Sequence, residues 1–248
     1  MVKRQLQTRK SGERTDSAGR AISNRILLSV SDPEFRRIRP RLEFLNLPSH
    51  FKLHEPQTRL RFLYFLNSGL ASLVVASDNR AVEAGVVGFE GAVGTALAVG
   101  LRTSSLGAVV QIAGAAFRIP AAAFRSVASG LPGFQRSLGR YAVLQAMQVA
   151  QTAACNRLHD VVQRLARWLL MAQDRVDSGV LEMTHDFLAL MLGTDRPSVS
   201  IAAGALQCRN AIRYSRGSVH ILNRKRLESA ACECYRRIQQ WNGDLGLK

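Results

Sequence analysis

Between Arg209 and Arg226 the sequence carries six basic residues, Arg209, Arg213, Arg216, Arg224, Lys225 and Arg226, and no acidic one. Such side chains bind phosphate, and phosphate contacts supply much of the affinity of DNA-binding proteins. Just upstream, Arg196, Pro197, Ser198 and Ser200 follow Asp195. An arginine in a first helical turn can fork onto a guanine edge or bond phosphate alone. The other candidates for chemistry are sparser. Of the cysteines, Cys155, Cys208, Cys232 and Cys234, the last two form a C-x-C, tighter than the usual structural-zinc spacing. Four reduced thiols and no metal are expected. Glycines at 85, 88, 91 and 94 suggest a phosphate loop, but no G-K-[ST] follows, so tight turns are the expectation. His50 and His54 share a face if Phe51 and Leu53 alternate as in a strand, and are not read as a metal pair. No G-x-S-x-G, no H-E-x-x-H and no spaced nucleophile and base occur, which argues against an enzyme.

Composition points the same way as the basic cluster. Lys and Arg number 34 against 18 Asp and Glu, for a net charge of +16. Most of the basic residues are Arg, which forks onto phosphates better than Lys. The surplus favours a polyanion, either nucleic acid or an anionic membrane surface. The longest apolar run, around residues 86–101, is interrupted by Glu90, and no stretch approaches the roughly 20 residues needed to span a bilayer. Residues 1–20 are basic without an apolar segment behind them, unlike a secretory signal. A cytoplasmic location and no membrane partner are expected.

Several elements must position these groups. Residues 1–24 have little to bury and read as a mobile basic tail. Short apolar clusters from Ile26 to Leu47, broken by Pro33, Pro40 and Pro48, fit small helices. Between Phe51 and Phe124, β-favouring runs (62–66, 70–75, 82–87 and 108–112) alternate with turn signals such as Asn67-Ser68-Gly69, as in a sandwich or jelly roll. From Gly133 to Val176 the pattern is helical. Leu144, Met147, Gln151, Ala154, Leu158, Val161, Leu165 and Trp168 follow steps of three and four, as either a core-packed helix pair or a dimer seam would. Asp177-Ser178-Gly179 ends that stretch.

The last block has the sharpest local grammar. Thr184 is a fitting N-cap for a short helix burying Leu188, Met191 and Leu192, and Gly193 supplies the turn. Asp195 caps a second helix with Pro197 in its first turn and Val199, Ala202, Ala203 and Leu206 facing inwards. Helix, short glycine turn and helix is the helix-turn-helix signature. Alternating residues on either side of Arg216-Gly217 then read as a two-stranded wing.

Residues 184–222, THDFLALMLGTDRPSVSIAAGALQCRNAIRYSRGSVHIL, resemble the winged helix-turn-helix of the Crp/Fnr family of transcription regulators. Upstream, FLNSGLASLV (65–74) and GFEGAVG (88–94) resemble the strand and glycine-rich turn of that family's cyclic-nucleotide-binding fold. NRLHDVVQRLARWLLMAQDRV (156–176) resembles its helix leading to the DNA-binding domain. The resemblance spans about residues 25–235. It implies an α+β chain: a basic tail (1–24), a jelly-roll sensor domain (25–132), dimerisation and connecting helices (133–175) and a winged helix-turn-helix (176–248).

The resemblance also implies residue roles. Arg196 falls where the family reads a guanine. Pro197 stands where many members have a base-reading glutamate, and Ile201 where some have a second arginine, so the operator should differ from that of the best-known members. Thr184, Asp195, Ser198, Ser200, Arg213 and the wing-tip Arg216 complete the expected DNA-binding set. Family dimers form along a long helix, here with Tyr141, Leu144, Met147, Gln151 and Ala154, and two-fold dimers favour inverted repeats. The effector pocket falls on Glu90, Gly91, Arg102, Ser104 and Ser105. Here Ser104-Ser105 occupies the place of the Arg-Ser pair that clamps a cyclic phosphate, which argues against a cyclic nucleotide. An iron–sulfur cluster is also disfavoured, because no cysteine lies in the first 154 residues. Double-stranded DNA, a second copy of the chain, RNA polymerase and an unidentified small-molecule effector are the partners this reading implies. The alternative is a ligand-sensing or protein-interaction module that kept the fold and lost specific DNA binding.

Overall fold

A computed structural model describes residues 10–77, 80–176 and 178–244. Two short helices open the fold, α1 (Arg25–Ser29) and α2 (Asp32–Ile38). Asn24 caps α1 by accepting from the Leu27 N–H, while its amide donates to the carbonyls of Leu66 and Gly91 at 2.8 Å each. Residues 10–24 are not the mobile tail expected from their composition. The Arg14 guanidinium donates to the Leu27 and Val30 carbonyls, both at 2.6 Å, and pairs with Asp32. These are carbonyls that the end of α1 leaves open. Asp16 gathers the backbone N–H groups of Ala18 and Arg20, and Ile22 is fully buried. Few apolar residues are needed when helix ends supply acceptors for arginine. Residues 1–9 of that expected tail lie outside the described residues.

A six-stranded antiparallel sheet follows: β1 (Glu43–Leu47), β2 (Lys52–His54), β3 (Phe62–Ser77), β4 (Arg80–Val87), β5 (Ala92–Val93) and β6 (Gly107–Pro120). The segment up to Leu47 was expected to be helical; its last five residues form β1 against β6 instead. The runs 62–66 and 70–75, read as two strands with a turn between them, are one strand whose register against β6 slips around Ser68 and Leu70. Glycine makes that kink possible. Gly69 has φ +79°, and a Cβ there would stand 2.6 Å from the Ile112 carbonyl oxygen. A Cβ on Gly114 opposite would stand 2.3 Å from the Ser68 carbonyl oxygen. The two halves of β3 and β6 therefore serve two four-membered ladders, β1-β6-β3-β5 and β2-β6-β3-β4. This is the expected jelly-roll plan, with two long bent strands each counted twice.

The helical region begins earlier than its sequence pattern, with α3 (Ala121–Ala128), then α4 (Pro132–Leu158) and α5 (Val161–Val176). The single seam from Leu144 to Trp168 does not exist as one helix face, because His159 is extended (φ −120°, ψ 149°). Asp160 restarts the helix: its carboxylate accepts from the Gln163 N–H at 2.8 Å, and the Gln163 side chain accepts from the Asp160 N–H. That reciprocal pair is a capping box. Asp177, expected to help end the helix, lies outside the described residues. Beyond it come β7 (Val180–Glu182), α6 (His185–Leu192), α7 (Arg196–Cys208), β8 (Ile212–Ser215), β9 (Ser218–Ile221), α8 (Arg224–Ala230) and α9 (Cys234–Asp244). The wing has three strands rather than two, in the order β7-β9-β8.

Two cores divide at the His159–Asp160 break. Phe134, Leu138, Tyr141 and Leu144 of α4 pack with the sheet. Leu165, Trp168, Leu169 and Ala172 of α5 pack with α6, α7, the wing and α9. Leu70 and Val86 from the sheet join this second core, so the C-terminal unit leans directly on β3 and β4.

Candidate nucleic-acid interface

Each local signal in the C-terminal block produces its element. The Thr184 hydroxyl accepts from the Phe187 N–H at the start of α6. Gly193 ends α6 in the left-handed region, at φ +58°. The Asp195 carboxylate accepts from the Ser198 N–H at 2.7 Å, and this bond, with the Ser198 side chain, holds its pKa below the ordinary value. The wing turn has φ +48° at Arg216 and +79° at Gly217, the two left-handed residues of a type I′ hairpin. Asn210 sits at φ +51°, a conformation asparagine tolerates, so the absence of glycine there does not disturb the turn.

These caps leave one face of α7 open. Val199, Ala202, Ala203 and Leu206 are buried, whereas Arg196, Pro197, Ser200 and Ile201 are exposed, Ile201 to 74%. Among the described residues, the Arg196 side chain makes only a long surface pair with Asp186, 3.5 Å apart and about two-thirds exposed on both sides. A pair of that kind holds a guanidinium weakly. His185 ties the neighbourhood together: its Nδ1 lies 2.9 Å from the Ser200 hydroxyl, and its ring stacks on Tyr214 of the wing at 3.9 Å. Burial lowers the His185 pKa, with the Arg196 charge adding to the effect. The Met183 N–H donates to the Gly217 carbonyl at 2.7 Å, which brings Thr184 beside the wing tip.

These contacts bring α6, α7 and the wing together, and the expected residues fall on those elements, with distinctions. Arg196, Arg213 and Arg216 are exposed. The side chains of Thr184, Ser198 and Ser200 already serve the fold, as cap, cap partner and bond to the Arg196 carbonyl. Arg224, counted with the basic wing, turns inward. It pairs with Asp174 at 2.7 Å and with Glu228 at 2.9 Å, and donates to Gln173 and Tyr235. Arg226 donates to the Arg209 carbonyl.

The expected effector pocket is not brought together. Glu90 is buried, accepting from Arg175 Nε at 2.8 Å and from the Gly88 N–H at 3.2 Å. Arg175, in the last turn of α5, was not anticipated, and no local pattern marks a partner 85 residues away. Gly88 admits it: a Cβ there would meet Arg175 Cγ at 2.6 Å. Gly91 is covered in the same way by Tyr141 of α4. The glycine turn is a socket for two helices. Arg102, Ser104 and Ser105 lie instead along Gln57–Leu60, where the Arg102 and Ser104 carbonyls accept from Leu60 and Gln57.

The expected dimer residues divide similarly. Tyr141 and Leu144 are buried in their own chain, and the Gln151 amide donates to Cys234 Sγ at 3.0 Å. Met147 is exposed, and so are Val143, Ala150 and Leu158, one step round the helix. At the far end of α4 the thiols of Cys155, Cys232 and Cys234 meet the His159 ring. Among the described residues no helix is long and apolar enough to cross a membrane.

Comparisons with known proteins agree with this architecture. Residues 163–230 match the family described as the Crp-like helix-turn-helix domain. No curated protein matches the sequence. Among solved structures, the c-di-GMP-responsive global regulator CLP of Xanthomonas campestris is 17% identical with a TM-score of 0.63, covering 78% of this chain and 100% of its own. FixK2 of Bradyrhizobium japonicum is 15% identical with a TM-score of 0.64, covering 77% and 98%. A Crp/Fnr-family transcriptional regulator of Thermus thermophilus is 19% identical with a TM-score of 0.61, covering 76% and 98%. The chain thus has the fold of these transcription regulators, and its residues 163–230 match a Crp-like helix-turn-helix domain.

Proposed function

We propose that the chain is a sequence-specific transcription regulator that binds an inverted-repeat operator as a homodimer. The observation that carries this reading is the open face of α7, where Arg196 is exposed and loosely held, beside a wing whose arginines Arg213 and Arg216 are also exposed. Arg196 reads a guanine, and Arg213 and Arg216 bind the flanking phosphates. Pro197 and Ile201 offer the base edges no hydrogen bond, so Ile201 contacts apolar groups such as a thymine methyl.

The dimer forms along the outer face of α4, through Val143, Met147, Ala150 and Leu158, and not through Tyr141 and Leu144. The two copies of α7 then sit about one DNA turn, roughly 34 Å, apart. The roll is a degenerate effector domain: Arg175 occupies Glu90, and Tyr141 covers Gly91, where a nucleotide phosphate would need room.

The test is selection from a random DNA pool with the full chain at about 150 mM salt, beside Arg196→Ala, since salt at that level suppresses purely electrostatic binding. The expected result is an enriched inverted repeat that the variant fails to select. Enrichment of no sequence by either protein would favour the module that kept the fold without specific DNA binding.

A further inference from the structure

Three thiols and an imidazole converge behind the DNA-binding unit. Cys155 lies in the last turn of α4, and His159 at its C-cap is four residues on. Cys232 comes from the link between α8 and α9 and Cys234 opens α9, 77 and 79 residues further along the chain than Cys155. Their donor atoms all lie within 4.8 Å of one another. Cys155 Sγ is 3.5 Å from Cys232 Sγ, and Cys234 Sγ is 3.7 Å from His159 Nδ1. A tetrahedral zinc ion, with Zn–S near 2.3 Å and Zn–N near 2.0 Å, holds its ligand atoms about 3.5–3.8 Å apart. We propose that Cys155, His159, Cys232 and Cys234 form a Cys3His site for one tetrahedral divalent ion of the zinc class, clamping the end of α4 to the α8–α9 link.

Two further observations support the assignment. His159 Nε2 lies 3.2 Å from the Glu233 carboxylate. A proton held on Nε2 by that carboxylate leaves the Nδ1 lone pair facing the thiols, the arrangement in which metal-bound histidines are oriented by a second partner. Gln151 similarly donates to Cys234 Sγ. The second observation is charge. Arg164 and Arg167 are buried; the charge of Arg167 also acts on Glu83, and among the described residues no salt bridge joins either arginine to a carboxylate. Arg164 donates to the Leu192 carbonyl and Arg167 to Met171 Sδ, and the positive charges of both act on Cys155. Buried cations call for a counter-charge. Three thiolates, one neutral imidazole and one divalent cation carry a net charge of −1. Binding releases the three thiol protons to solvent and changes no oxidation state.

The C-x-C spacing alone suggests no such site, because it supplies only two ligands. The other two come from a helix whose break at Asp160 turns His159 out of the helical path. An ion there ties the α4 side of that break to α8 and α9, which pack in the same core as α5.

The test uses the full chain, purified under reducing conditions. Elemental analysis should give one zinc per chain. After chelation, titration with Co2+ should produce thiolate-to-cobalt charge-transfer absorption and tetrahedral visible bands that saturate at one equivalent. Cys208→Ser, at an exposed cysteine outside the cluster, should keep the metal; Cys234→Ser should lose it, and Glu233→Gln should bind it about 10-fold more weakly. Reduced wild-type protein that holds no metal and gives no thiolate–cobalt band would overturn the proposal. A Cys155–Cys232 disulfide in protein prepared without reductant, with no metal bound before or after reduction, would replace it with a redox pair.

Discussion

Glu83 shows how a single side chain can set the behaviour of the joint between the roll and the C-terminal unit. It projects from β4 into the second core, where it accepts from Trp168 Nε1 at 2.7 Å and from the Ser72 hydroxyl. Burial pushes its pKa up to about 7, against the opposing pull of those two bonds and of the Arg167 and Arg175 charges. A carboxyl that holds its proton more tightly folded than unfolded stabilises the fold at low pH, and loses that contribution as pH rises from about 4.5 to about 7. Glu83→Gln cannot ionise; its amide oxygen can still accept from Trp168, and the Ser72 hydroxyl can turn to accept from its amide nitrogen. Urea unfolding at pH 5 and pH 8 should therefore show a smaller fall in stability for the variant than for the wild type; equal falls would remove Glu83 as the cause. At this scale the sequence was legible where a role is local. Thr184, Gly193, Asp195 and Gly217 act within three or four residues of themselves, and their patterns predict their conformations. Arg175 and Glu83 act on partners 85 residues away, and nothing adjacent to them records it.

Elements were legible where punctuation was read as such. The Asp160–Gln163 capping box stands in the sequence and marks the helix break, but the apolar steps of three and four run through it and suggest one long seam. Periodicity alone also cannot say which of two apolar faces meets the chain's own core. On α4 the sheet takes Phe134, Leu138, Tyr141 and Leu144, which leaves Val143, Met147, Ala150 and Leu158 outward. Val143 is 61% exposed, so Val143→Glu should leave the monomer's helical circular dichroism unchanged. In the dimer the substitution buries one unpaired charge per subunit, which should raise the dimer dissociation constant at least about 100-fold. Sedimentation at micromolar concentration should show dimer for wild type and monomer for the variant; a dimeric variant would move the interface off this face. The bulge in β3 was hidden for the opposite reason. Asn67-Ser68-Gly69 reads as a turn between strands, and only the pairing of Ser68 with Ala115 on β6, beside a Gly114 that leaves room for the Ser68 carbonyl, keeps it within one strand.

At the scale of the whole molecule, two cores meet along β3, β4 and α5, and the Glu90–Arg175 pair joins them. Both partners are nearly inaccessible, with side-chain exposures of 6% and 4%. Removing one charge leaves the other buried and unpaired, a loss of about 3–5 kcal/mol. Glu90→Gln should lower the urea midpoint accordingly, without creating affinity for a cyclic nucleotide by calorimetry. An unchanged midpoint would show that the pair does not hold the units together. The charge of +16 acts at the same scale: it draws the protein to any DNA, so affinity by itself says little about function. Specificity is the discriminating quantity. The most direct measurement is the ratio of affinities for the selected inverted repeat and for a shuffled sequence of the same length and composition, at about 150 mM salt. We predict a ratio of at least about 10³, falling 10-fold or more for Arg196→Ala, in line with one lost bidentate base contact per half-site. A wild-type ratio near one, with binding that simply weakens as salt rises, would contradict sequence-specific recognition by α7.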